Sequence, residues 1–159
     1  MNCKASIIGK TQNRTALGIV HAYVALNPKA TLAELRRAFP NNLCPDSGVD
    51  ELLLPQSGAL KYNTKADMSL YFTKEGETIT LADGSVVCLS QIWSKTSLDK
   101  FVANAANLGI QASDPDKTLD YDKPGFKITI HQQPKKGCLG MLIALIAIPA
   151  AALLCIFNF

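Results

Sequence analysis

The sequence predicts an α+β domain: a helix-turn-helix pair, then a β-hairpin or small antiparallel sheet, with a C-terminal transmembrane helix. Three observations carry this expectation. Leu17, Val20 and Val24 recur at helical spacing, and Leu32, Leu35 and Phe39 do so again after a break at Asn27-Pro28. Asp83-Gly84 stands between two β-rich runs. From Gly137 to Phe157 no residue is charged. Two helices and a hairpin fit a winged-helix-like arrangement, and a small α+β sandwich fits equally well.

Taken in order, residues 1–13 read as an N-terminal arm. A helix over Arg14–Leu26 ends at Asn27-Pro28, because proline disfavours the α conformation in the residue before it. Thr31 and Glu34 form a capping box that opens a second helix running to about Phe39. Asn41 to Gly48 has loop composition. Val49 to Leu54 reads as a short helix or turn, and Ser57 to Met68 as irregular chain. Ser69 to Thr73 is a candidate strand. Thr78–Ala82 and Ser85–Trp93 follow as strands around an Asp83-Gly84 type I′ turn. A last helix spans about Leu98–Leu108, capped by Thr96 or Ser97, with Gly109 in the left-handed position that closes it. Residues 111–124 are a polar loop, and Phe126 to His131 is one more strand. The main domain is thus 14–131, and 132–137 is a linker.

Residues 138–157 supply about twenty apolar residues, the length that crosses a bilayer core of about 30 Å. Lys135 and Lys136 precede them, so the positive-inside rule places the N-terminal domain in the cytoplasm of a single-pass membrane protein, at the inner membrane if the host is a bacterium. Leu139, Pro149 and Phe157 mark the anchor. Small residues along it permit self-association through the tail.

Composition bounds the chemistry. The chain has 159 residues with 16 basic and 13 acidic side chains, a mild excess, whereas dedicated nucleic-acid domains carry more charge in tighter clusters. Five scattered cysteines form neither a disulfide framework nor a zinc pattern. Gly9-Lys10-Thr11 matches the end of a phosphate-binding loop, but the glycine required five positions earlier is replaced by Lys4. Asp114, Asp116, Asp120 and Asp122 crowd one loop but lack the glycine and terminal glutamate of a calcium loop. His21 and His131 have no partner visible in sequence. Trp93 reads as a core plug. Arg14, Lys29, Arg36 and Arg37 are the candidate contacts for nucleic acid or a protein partner. The segment 49–54, which would be the recognition helix, is acidic and apolar and lacks the side chains that read base edges.

Two segments carry a resemblance. One is Arg14, Leu17, Tyr23-Val24, Asn27-Pro28, Thr31, Glu34-Leu35 and Phe39-Pro40. The other is Asp83-Gly84, Ser90-Gln91, Trp93, Leu98, Phe101, Ala105 and Leu108-Gly109. Over about residues 14–110 the chain resembles a small module of prokaryotic proteins of unknown function, some linked to restriction-like or phage-defence systems. In that module a glycine follows the tryptophan, where Ser94 stands here. The resemblance implies no catalytic residues. Together these readings give a membrane-tethered, non-enzymatic binding module without cofactor or metal, acting on the bilayer and an unidentified protein. The alternatives are a membrane-held nucleic-acid binder and a membrane-acting effector or sensor of a defence system.

Overall fold

A computed structural model describes residues 3–45, 48–121 and 124–131. Its elements are β1 (Ala5–Gly9), α1 (Gln12–Leu26), α2 (Leu32–Ala38), a 3₁₀ turn at Asn41–Leu43, β2 (Leu53–Pro55), α3 (Gln56–Ala66), β3 (Ile79–Thr80), β4 (Val86–Leu89), α4 (Lys95–Asn107), β5 (Ile110–Ala112) and β6 (Phe126–Ile130).

The N-terminal segment read as an arm is the centre of the first sheet, ordered β5-β1-β6. Ala5 to Ile7 pair in parallel with Ile110 to Ala112, and Ala5 to Gly9 pair antiparallel with Ile130 to Phe126. Ala5 and Ile7 are buried while Ser6 and Ile8 are only partly so, which puts one face of β1 into the core and leaves the other open. α1 packs on all three strands, and α4 packs on β5 and on α1. Strands β1 and β5 run parallel with α1 leaving the first and α4 entering the second. This is a βαβ connection with an insertion between its two helices.

That insertion holds α2, α3 and a second sheet ordered β2-β4-β3. Alternation along β4 divides the labour: Val87 and Leu89 join the main core, while Cys88 faces Ala59 of α3 and Tyr71. Phe39 stacks on Phe101 at 4.9 Å, and Tyr23 and Trp93 meet these rings edge-on at 5.3 and 4.7 Å. Each such pair adds about 0.5–1.5 kcal/mol beyond area burial, so this cluster ties the insertion to α1 and α4.

Several expectations are corrected. The helix pair is not a helix-turn-helix: α1 lies on a sheet, and residues 49–54 form no helix, Leu53–Pro55 being a strand paired with Val87–Leu89. Residues 57–66, read as irregular, belong to α3. Ser69–Thr73 contributes one bridge, Tyr71 to Ser90. The hairpin turn is a three-residue connection. Gly84 donates to Leu81 O, Leu81 donates to Ser85 O, and Gly84 alone in the turn has a positive φ, of 80°. A type I′ turn needs two such residues. A winged-helix arrangement is therefore excluded.

The membrane expectation is corrected as well. Among the described residues no helix is long and apolar enough to cross a membrane. α1, with 15 residues, reaches about 22 Å and carries Arg14 and His21. The segment 138–157 on which the expectation rested lies outside the described residues, as do Lys135, Lys136, Leu139, Pro149 and Phe157. The transmembrane helix, the tail anchor and the single-pass location with a cytoplasmic domain have no support in the fold.

Candidate functional site

The parallel strands β1 and β5 end on the same side of the sheet, where α1 begins. In sheets with parallel strands, the crevice beyond their carboxyl ends is where ligands sit. The junction is tight. Gly9 leads through two residues into α1, and a Cβ placed on Gly9 would lie 2.4 Å from the amide nitrogen and hydroxyl of Thr15. The connection between β5 and β6 clamps it: Asp116 N–H donates to Gly9 O and Lys10 N–H donates to Gly125 O, both at 3.0 Å.

The helix start is electrostatically open. Thr11 stands at the N-cap but gives no side-chain cap; its hydroxyl donates to Asn13 Oδ1. The first turn carries no acidic side chain. Its amides and the positive end of the helix dipole are left without a side-chain acceptor.

Beside this start lies a cavity of ≈ 580 Å³ lined by Lys10, Arg14 and Lys74, by Glu75 and Glu77, and by Tyr121 and Gly125. Three cations thus face two carboxylates. Arg14 is fixed: its Nη1 lies 2.7 Å from Glu77 Oε1, its guanidinium sits 4.8 Å over the Phe72 ring, and Gly125 leaves room for its stem. Lys10 and Lys74 are exposed and make no ion pair among the described residues. A second cavity of ≈ 510 Å³ adjoins the first through Thr11 and is lined by Gln12, Asn13, Gln91, Trp93 and Lys117.

The other candidate contacts do not converge here. Arg36 donates to Leu53 O and pairs with Glu51, holding the start of β2. Arg37 lies near Glu34 in α2, and Lys29 is an exposed residue of the α1–α2 turn. Of the four, Arg14 alone lines the crevice. Trp93 is part of the core, its Nε1 donating to Ser90 O, but it also contributes to the second cavity.

No family model, curated protein or solved structure matches the chain. None of these comparisons therefore bears on the resemblance seen over residues 14–110.

The remaining titratable groups lie apart from the crevice or are engaged elsewhere. His21 lies two turns beyond Arg14 on α1, its ring 5.1 Å from that of Phe126, and its Nε2 is buried with no hydrogen-bond partner among the described residues. Burial lowers its pKa, opposed by a hydrogen bond with the Glu77 backbone. It does not line the crevice. On the open face of β1, Ser6 Oγ lies 2.7 Å from His131 Nε2, with the Cys3 thiol 3.7 Å from Ser6. No carboxylate among the described residues bonds that imidazole, so the pair lacks the third group that orients a catalytic base. Burial pushes the Cys88 thiol up to about 11, which leaves it un-ionised. Asp116 is engaged by the amide and hydroxyl of Thr118, which hold its carboxyl below the usual range, and no metal-binding group occurs among the described residues. Asp122 lies outside them.

Sequence reasoning missed Lys10, Thr11, Lys74, Tyr121 and Gly125 as one site. The available signal was Gly9-Lys10-Thr11 after the apolar pair Ile7-Ile8, which marks a strand entering a helix.

Proposed function

We propose that the domain is a non-enzymatic binding module that takes a small phosphate- or carboxylate-bearing ligand in the crevice at the carboxyl ends of β1 and β5. The observation that carries this reading is the convergence of Lys10, Arg14 and Lys74 on an uncapped helix start beside a cavity of ≈ 580 Å³. An anion there meets free helix amides, one cation already held in place and two mobile ones that close on it. Glu75 and Glu77 limit the excess to one positive charge, which favours a compact anion over an extended polyanion.

Calorimetric titration of the full chain with inorganic phosphate and pyrophosphate tests the reading. Binding that weakens with salt and falls about tenfold in Lys10→Ala combined with Lys74→Ala is expected. Titration indistinguishable between that variant and the parent chain refutes it.

A further inference from the structure

The crevice does not end at the cations. Thr11 lines both cavities, so the second one lies beside the anion site on the other side of this residue, and its chemistry is different. Its lining offers side-chain carboxamides beside an indole, together with Pro115 and one cation, Lys117. Asn13 has its carbonyl engaged by the Thr11 hydroxyl, which leaves its NH₂ group to donate. Gln91 has its NH₂ engaged by Tyr71 O, which leaves its carbonyl to accept. Gln12 brings a further carboxamide from the first turn of α1. A neutral ligand part presenting donors and acceptors on one flat edge, with a π-face for the indole, satisfies this set.

Building on the anion-binding reading above, we propose that the ligand is a nucleoside phosphate, with its phosphate among Lys10, Arg14 and Lys74 and its base in the cavity of Gln12, Asn13, Gln91 and Trp93. Each nucleobase carries donors and acceptors side by side, the pattern that glutamine and asparagine read, and an aromatic face that stacks on tryptophan. The helix start lies between the two halves of the site, where the sugar would pass Thr11.

The test is a titration of the full chain with AMP, GMP, adenosine and inorganic phosphate, read by calorimetry and by fluorescence of Trp93, the only tryptophan. The proposal expects AMP or GMP to bind at least about tenfold more tightly than phosphate, to change Trp93 emission, and to lose that gain in Gln12→Ala combined with Asn13→Ala while phosphate binding persists. A 5′-phosphorylated dinucleotide in parallel separates a free nucleotide from a strand end as the source, since a second residue improves binding only for the latter. Nucleotides that bind no more tightly than phosphate and leave Trp93 silent overturn the base site but spare the anion site. Failure of phosphate and nucleotides alike overturns both.

Discussion

Replacing Gly9 by alanine is expected to damage the fold at the point where the site is built. The added Cβ would lie 2.4 Å from Thr15 N, 2.4 Å from Thr15 Oγ1 and 2.7 Å from Thr15 Cα. Two of these atoms are backbone of a buried helical turn, so no rotamer change relieves the contact, and α1 must move off β1. Overpacking of a tight core costs about 1–3 kcal/mol, and the absence of a flexible neighbour argues for the upper end, about 3 kcal/mol. For a domain of this size that corresponds to a fall in Tm of roughly 6–12 °C. Gly18→Ala is the control on the same helix. Its Cβ would approach Ile7 Cγ2 at 2.8 Å and the Phe126 ring at 3.0 Å. Those are side-chain atoms, and Phe126 sits on an edge strand that is only partly buried. Alanine also improves helix propensity by about 1 kcal/mol over glycine, so a net loss of about 1 kcal/mol or less is expected. Urea unfolding of both variants measures the difference. A Gly9→Ala loss no larger than that of Gly18→Ala would refute the claim that the β1–α1 junction is the tighter contact.

Three further outcomes follow from the same geometry. Thr31→Ala removes the side-chain half of the capping box with Glu34, in which Thr31 Oγ1 accepts from Glu34 N–H, while the backbone Thr31 N–H that donates to Glu34 Oε2 at 2.8 Å stays; the change is expected to cost about 1 kcal/mol in chemical unfolding. The folded-state pKa of His21 lies below its ordinary value of 6.5, so the unfolded chain takes up the proton first. Its contribution is fully present above that value and is lost as pH falls below it, so stability declines on acidification from about pH 7 to 5 and the slope flattens in His21→Gln. Alkylation followed by mass spectrometry is expected to find Cys3, which is partly exposed, labelled in the native protein and Cys88 labelled only on unfolding.

What the sequence discloses follows its local signals. α1, the capping box of α2, α4 and β6 are legible because each carries its periodicity or cap within a few residues. Gly109 adopts the expected left-handed conformation, with φ of 83°. α4 starts earlier than expected, since Ser94 rather than Thr96 or Ser97 caps it by accepting from Ser97 N–H. β1 hides because its meaning is non-local: Ile7-Ile8 before Gly9-Lys10-Thr11 marks a strand entering a helix, but the partners that make it central lie at residues 110–112 and 126–130. α3 hides because Ala59 is its one fully buried residue, too little for an apolar stripe. The leucines 52–54 have no period of their own, and Leu53 and Leu54 become strand by pairing with β4. The site shares this limit. Arg14 stands out as a charge on a helix, whereas Lys74, Tyr121 and Gly125 reach it from connections far along the chain. Ser6 and His131 meet across 125 positions for the same reason.

The most direct test of the account is an amide-resolved NMR titration of the ¹⁵N-labelled full chain with inorganic phosphate. The account predicts that the largest shifts fall on Lys10, Thr11, Gln12, Asn13 and Arg14, with Lys74 and Gly125 following, and that salt suppresses them. Shifts centred elsewhere, on Arg36 and Arg37 or on the open face around Ser6 and His131, or none at all, would contradict it.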